Sequence, residues 1–400
     1  MIGNVPDGWQ EKKLGKIVNF IIGKTPSRNV SEYFAGDNLW TSIRDMNNYI
    51  ISSTKEKITD KAVQDSNIKQ VKKGTLLLSY KLSIGKLSFA GQNLYTNEAI
   101  AGLEILDTSI ENKFLYYVLK ATDLERTIDR AVMGKTLNKA KLQVIPIAYP
   151  PLPQQEKIVK VLDISSSLIE KQKELIKEYD LFLKSKFIEM FGDPIKNPMG
   201  WEVEKLVNLI EQYKGAMRTG PFGSSLKKEF YVKCGYKIYG QEQVIKNNFN
   251  YGNYYIDDER YETLKGYSIK EKDILISLVG TFGKIAIVPK VFEAGIINPR
   301  LMKISLDTTL YNPVFFKDLF YTEGFKAQLL NFSHGGTMGI LNLTILKELK
   351  YIKPPIDLQN KFASIVEKTE TIKTKETQKL EHLETLHKSL MDKAFKGEIK

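Results

Sequence analysis

Pro150-Pro151-Leu152-Pro153-Gln154-Gln155-Glu156-Lys157-Ile158, running on to Met190-Phe191-Gly192-Asp193-Pro194, decides how this 400-residue chain is built. It has an echo from Pro354-Pro355 to Ala394-Phe395-Lys396-Gly397. In both stretches a proline pair closes a strand-like run, and about 40 residues of helix-compatible sequence follow. That is long for a globular helix and predicts a coiled-coil spacer. An offset of 204 pairs Pro151 with Pro355, Gln155 with Gln359, Lys157 with Lys361, Ser185 with Ser389 and Phe191 with Phe395. The chain reads as one unit written twice.

Working outward, each block before a long helix opens on an apolar anchor. Gly8-Trp9 and Leu14-Gly15-Lys16-Ile17 are matched by Gly200-Trp201 and Leu206-Val207-Asn208-Leu209, at an offset of 192. Thr75-Leu76-Leu77-Leu78-Ser79 with Ile84-Gly85-Lys86-Leu87-Ser88-Phe89 corresponds, at an offset of 198, to Asp273-Ile274-Leu275-Ile276-Ser277 with Phe282-Gly283-Lys284-Ile285-Ala286-Ile287. Short apolar runs broken by Gly-Lys predict a buried hairpin in each block. Lys113 to Ala131 and Val314 to Leu330 carry helical periodicity, and each precedes a Gly-bearing loop, Met133-Gly134-Lys135-Thr136 or His334-Gly335-Gly336-Thr337. Leu137-Asn138 then matches Leu341-Asn342.

The expected architecture is α+β, with two strand-rich α/β domains separated by two long antiparallel coiled-coil helices in a pseudo-twofold internal repeat. The expected boundaries are 1–150, 151–194, 195–353 and 354–400. In the first helix Ile158, Leu162, Ile169, Ile176, Tyr179, Leu183 and Met190 fall on alternating four-and-three spacing, notched by Ser165 and Gln172. In the second, Phe362, Val366, Leu380, Leu383, Leu390 and Ala394 form a looser seam, with Thr369, Lys373, Glu376 and His387 between them. Seams this imperfect favour pairing of the two helices within one chain over tight homodimerisation. A helix of about 38 residues is about 57 Å long, more than the roughly 34 Å of one DNA turn, so the pair could act as a ruler.

The formal charge of +12 sits almost wholly outside the helices: residues 1–153 carry 21 cationic against 15 acidic side chains, and residues 192–356 carry 22 against 17. Residues 154–191 hold seven of each. A basic surface on the blocks and balanced helices between them fit polyanion binding by the former and protein contact by the latter. Cys234 stands alone, so no internal disulfide is possible, which suits a reducing compartment. No apolar run reaches the roughly 20 residues of a membrane span, and no signal-peptide core opens the chain. A cytoplasmic protein without membrane contact is expected.

The run Val144-Ile145-Pro146-Ile147-Ala148-Tyr149-Pro150-Pro151-Leu152-Pro153-Gln154-Gln155-Glu156-Lys157-Ile158 resembles the specificity subunit of Type I restriction-modification systems. So do Gly8-Trp9, Gly200-Trp201, Trp40-Thr41-Ser42-Ile43-Arg44-Asp45-Met46-Asn47, Thr219-Gly220-Pro221-Phe222-Gly223-Ser224-Ser225-Leu226 and Tyr239-Gly240-Gln241-Glu242. The resemblance, which covers both halves, implies a non-catalytic subunit with two target-recognition domains, each reading half of a bipartite sequence in double-stranded DNA. It implies that the helices set the spacer and dock two modification subunits. S-adenosylmethionine, ATP and Mg²⁺ would then belong to those modification subunits and to restriction/translocase subunits, with no cofactor in this chain. The second repeat departs in its Pro354-Pro355-Ile356-Asp357-Leu358-Gln359.

Two other classes are a stand-alone DNA methyltransferase or nuclease and a coiled-coil scaffold that does not touch DNA. Adenine methyl transfer needs Asp or Asn before Pro-Pro and an aromatic residue, whereas Pro150-Pro151 follows Tyr149 and Pro354-Pro355 follows Lys353. Asn298-Pro299-Arg300 is the nearest approach. Gly23-Lys24-Thr25 imitates the end of a phosphate-binding loop, but Val18 occupies the earlier glycine position. Pro6-Asp7 with Glu11-Lys12-Lys13 is too closely spaced for a nuclease metal site. His334, His382, His387 and Cys234 have no metal-ligand spacing.

For base reading, polar side chains on loops are the candidates. In the first block they are Thr41, Ser42, Arg44, Asp45 and Asn47, with Tyr80, Lys81 and Lys86 of the hairpin and Lys135 and Lys139 of the Gly loop. In the second they are Arg218, Gln241, Gln243, Lys246 and Asn247, with Lys284, His334 and Thr337.

Overall fold

The computed structural model describes residues 5–124, 138–278, 283–332 and 343–399. Lys135, His334 and Thr337 lie outside these residues. The chain forms two compact units, Met1–Lys173 with Lys379–Lys400, and Glu174–Gln378, so each long helix passes from one unit into the other.

The first unit contains β1 (Gln10–Lys13), β2 (Val18–Ile22), β3 (Asn38–Thr41), β4 (Ile50–Ile51), β5 (Glu56–Ile58), β6 (Leu76–Ser79), β7 (Leu87–Ala90), β8 (Tyr95–Thr96), β9 (Ile100–Ile105) and β10 (Pro146–Tyr149). They assemble as a β2-β9-β6-β7-β4 sheet, a β5-β3-β8 sheet and a β1-β10 ribbon. Leu76 and Leu78 enter one core cluster with Leu103 and Phe114, while Leu77 enters another with Ile21 and Ile100. Alternation across the pleat explains this: a sheet covered on both faces needs an unbroken apolar run.

The second unit repeats the plan. It has β11 (Glu202–Lys205), β12 (Met217–Thr219), β13 (Tyr236–Tyr239), β14 (Tyr255–Ile256), β15 (Ile274–Ser277), β16 (Ile285–Ile287), β17 (Gly295–Ile297), β18 (Leu301–Ile304) and β19 (Lys350–Lys353). The sheets are β12-β18-β15-β16, β14-β13-β17 and β11-β19. Like β3, β13 is antiparallel to one neighbour and parallel to the other. Again the pleat divides the run: Ile274 and Ile276 face Phe315, and Leu275 joins Tyr239 and Val288. Among the described residues, β4 has no counterpart in the second unit.

The predicted hairpins are β6-β7 and β15-β16, both antiparallel. The periodic stretch after Val314 is two helices rather than one, Pro313–Tyr321 and Glu323–Phe332. Thr322 separates them because its extended backbone ends the first and its Oγ1 accepts the Phe325 N–H at 3.3 Å. In the first block the helix is Asn112–Ala121.

The long helices span Leu152–Phe191 and Ile356–Phe395. Within the first unit Ser165 meets His387 and Lys173 meets Glu384; within the second, Asp180 meets Lys373 and Phe187 meets Phe362. As one number rises the other falls in each unit, so the packed segments are antiparallel. Ile158, Leu162, Ile169, Leu183 and Phe362 are buried, and Ile176, Met190, Val366, Leu380, Leu383 and Leu390 half-buried, as the seam requires. Phe187 and Phe191, outside the predicted seam positions, add aromatic contacts: Phe191 meets Phe315 at 4.6 Å and Phe362 at 5.4 Å. The end of the second helix does the same in the first unit, where Phe395 lies 5.9 Å from Phe114 and Phe114 lies 6.1 Å from Trp9.

Gln155 and Gln359, the matched pair beyond the prolines, are both fully buried. The Gln155 Nε2 donates to the Ser109 and Pro150 carbonyls, each at 2.8 Å, and its Oε1 accepts the Glu111 N–H at 2.9 Å. Gln359 donates to Leu310 and Pro354 and accepts from the Asn312 N–H at 2.8 Å. Each glutamine satisfies the backbone of the turn that starts the domain helix, fixing that helix to the long one.

Candidate nucleic-acid interface

In the first unit four loop stretches are tied to one another by hydrogen bonds. The Lys24 N–H donates to the Thr96 carbonyl at 2.9 Å, and the Asn97 N–H to the Thr41 carbonyl at 3.0 Å. Tyr80 donates from its amide to Ala99 and from its hydroxyl to the Glu98 carbonyl, both at 2.9 Å. The Lys86 Nζ reaches the Ile43 carbonyl at 3.3 Å and Asn47 Oδ1 at 3.0 Å. Residues 23–25, 41–47, 80–86 and 96–99 therefore make one surface.

The second unit repeats three backbone links of the first. The Gly220 N–H donates to the Leu301 carbonyl at 2.9 Å, as that of Gly23 does to Ile100 at 3.3 Å, and Asn298 donates to Tyr239 at 2.8 Å and Leu278 to Arg300 at 3.0 Å, as Asn97 does to Thr41 and Tyr80 to Ala99. Gly23 and Gly220 are required at the corresponding turns: an added Cβ would sit 2.1 Å from the Thr96 carbonyl oxygen or 1.9 Å from that of Asn298.

The structure sorts the candidate readers. Arg44 and Lys81 are exposed, with Ser42 half-buried beside them. Asp45 is committed to the loop itself: its Oδ2 accepts the Ser42 N–H and hydroxyl at 2.8 Å, and its Oδ1 the Lys55 N–H at 3.0 Å. Gln243 does the same work in the repeat, accepting the Gly240 N–H at 2.9 Å and donating to Tyr251 at 2.8 Å. Asn47 donates to the Arg44 carbonyl at 2.7 Å while receiving Lys86, so both hold Arg44 in place.

Three of the candidates, Thr41, Tyr80 and Gln243, are buried rather than presented on the loop surface. Thr41 ends β3 opposite Thr96, Tyr80 packs in the core where burial raises its phenol pKa, and Gln243 is a helix-start cap.

Arg218 lies in β12 just before the Gly220 turn, its guanidinium 3.6 Å from the Tyr267 ring centroid. Lys246 lies 3.4 Å above Tyr251, and Asn247 ends its helix with φ 48°. Gln241 opens that helix half-buried, and Lys284 is exposed where the second hairpin returns. Lys139 is exposed in a helix capped by Asn138, whose Oδ1 accepts the Lys141 N–H at 3.0 Å. Sequence reasoning passed over two exposed cations on these surfaces, Lys24 and Arg300. The signal is present in Gly23-Lys24-Thr25, which reads as a turn before a basic surface, and in Asn298-Pro299-Arg300.

Among the described residues no group of three or more His, Cys, Asp and Glu stands where it could hold a metal, and no helix is long and apolar enough to cross a membrane. A different surface lies on the long helices of the second unit. Leu175, Tyr179, Phe182, Ile365, Thr369 and Ile372 line an open, mainly apolar groove of about 480 Å³.

Comparison with known proteins follows the repeat. The sequence pattern of the Type I restriction modification DNA specificity domain matches residues 6–178 and again 198–385. The chain is 26% identical over 392 residues to the Type I restriction enzyme MjaIX specificity subunit of Methanocaldococcus jannaschii, covering 92% of this chain and 88% of that protein. Its fold resembles a Type-I restriction-modification system S subunit from M. genitalium, with TM-score 0.54 and 16% identity over 99% of this chain and 98% of the other. A chain from a structural study of type I R-M complex assembly and conformational transition gives TM-score 0.59 at 16% identity, covering 99% of both. With the family pattern spanning both repeats, this chain belongs to the Type I restriction modification DNA specificity domain family.

Proposed function

We propose that the chain is the non-catalytic, DNA-reading subunit of a Type I restriction-modification enzyme, each unit reading one half of a bipartite target. The observation that carries the reading is the loop surface built twice from the same links, each bearing exposed cations: Lys24, Arg44 and Lys81 in one, Lys284 and Arg300 in the other. Cations on loops supply the salt-dependent phosphate attraction, and the adjoining polar groups the base discrimination.

The long helices set the spacer in this reading. Each has 40 residues, about 60 Å at roughly 1.5 Å per residue. Ile164, Leu168, Leu181, Phe182, Ile188 and Leu386 are exposed on them, an apolar complement that fits docking of two modification subunits. Those subunits carry S-adenosylmethionine and methylate adenine, while restriction/translocase subunits use ATP and Mg²⁺. No residue of this chain is assigned a catalytic step.

Competition binding tests the proposal. The chain assembled with its modification subunit is expected to prefer a duplex carrying the mapped target over a scrambled duplex by at least about a thousandfold. Arg44→Ala and Arg300→Ala should each weaken binding, the first at one half-site and the second at the other. Equal affinity for both duplexes would refute the proposal.

A further inference from the structure

Leu82 combines two features that folding alone disfavours. It is 94% exposed, and its backbone lies in the left-handed region at φ 64°. A branched side chain rarely adopts that conformation, because its Cβ crowds the following carbonyl. The corresponding residue of the second repeat, at the offset of 198, is Gly280, the residue type suited to such a position. The first unit thus spends conformational energy to hold a large apolar side chain in water.

The loop around Leu82 is held in place. The Gly85 N–H donates to the Ser79 carbonyl at 2.9 Å, the Lys86 N–H to Ser79 Oγ at 2.9 Å, and the Ser83 N–H to the Lys81 carbonyl at 2.8 Å. Ser79 Oγ in turn donates to the Ser83 carbonyl. Lys81 lies beside the tip, 5.5 Å from the Tyr80 ring, and Lys86 anchors the base of the hairpin to the Arg44 loop. A strained apolar tip flanked by cations, on the loop that joins β6 to β7 at the end of their sheet, suits the negative charge and the exposed base edges of a DNA groove.

We propose that Leu82 is an apolar DNA-contact residue, carried into the groove by the β6-β7 hairpin and removed from water against base atoms of the first half-site. This rests on the DNA-reading function above and assigns one specificity-determining contact within it. Lysines beside it provide attraction to phosphates, and Leu82 adds contact that depends on fit rather than on charge.

Leu82→Gly separates this role from a structural one, because it removes the side chain and also relieves the strained backbone. The full chain with its modification subunit is titrated with target and scrambled duplexes at several salt concentrations, alongside thermal unfolding. Expected are roughly tenfold weaker target binding, an unchanged salt slope, and a Tm equal to or above that of the wild type. Lys81→Ala, by contrast, should reduce the salt slope by about one. Wild-type affinity in Leu82→Gly overturns the proposal, as does an affinity loss that tracks a fallen Tm. Equal binding of both duplexes by the wild-type complex is a different result, which refutes the DNA-reading function itself.

Discussion

Asp318 shows how one residue position diverged between the repeats. It stands in the Pro313–Tyr321 helix where the first unit has Tyr117, whose hydroxyl donates to Asp163 at 2.7 Å. Burial, with Glu370 nearby, pushes the Asp318 carboxyl up to about 6, against a weaker opposing effect of Lys317. A raised folded-state pKa in an acid means that the fold binds the proton more tightly than the unfolded chain does. Stability is therefore fullest below the unfolded value near 3.8 and declines as pH rises through about 6. Asp318→Asn is expected to raise stability at pH 7 by about 1–2 kcal/mol and to change it little below pH 3.8, as calorimetry across that range would register. Residue identities on the loops were only partly legible in the sequence. Arg44 could be picked as exposed, but Thr41 and Gln243 were indistinguishable from surface readers until strand pairing and the cap buried them. Polar loop residues serve two purposes, holding a turn and meeting a partner, and composition does not separate them.

At the scale of elements the long helices were the most legible part, because their period and proline boundaries are local signals. Their pairing was also readable, although the seam is imperfect. The structure explains one imperfection. Ser165 is buried, and its Oγ lies 2.9 Å from the Leu162 carbonyl and 2.8 Å from His387 Nδ1, so this notch in the seam is filled by a polar pair across the two helices. The matched position in the other repeat is Thr369, whose Oγ1 turns back to Ile365 at 2.8 Å. One polar pair thus marks one half of the coiled coil and distinguishes its register from the alternative. Phe187 and Phe191 were less legible, since a helix end that closes a distant domain core leaves no periodic trace. Inserting four residues after Glu174 and four after Gln378 keeps the antiparallel register and adds roughly 6 Å to each helix. The methylated target should then keep both half-sites and gain about two base pairs of spacer, given roughly 3.4 Å per base pair; sequencing of modified DNA checks this.

For the whole molecule, duplication was visible at three offsets, and the two sheets with matching order follow from it. Strand pairing itself was not predictable from either repeat alone: β3 and β13 bond to partners far along the chain, one parallel and one antiparallel. Such long-range choices depend on burial of the sheet on both faces. The same duplication argues for two reading surfaces with different side chains on one backbone plan, which is what an asymmetric bipartite target demands. The most direct measurement is methylation mapping in a host that makes the modification subunit with or without this chain. Adenine methylation at one bipartite sequence should appear only with the chain, and Arg44→Ala should relax one half-site while leaving the other intact. Methylation that is independent of the chain, or a target in which both halves change together, would contradict the account.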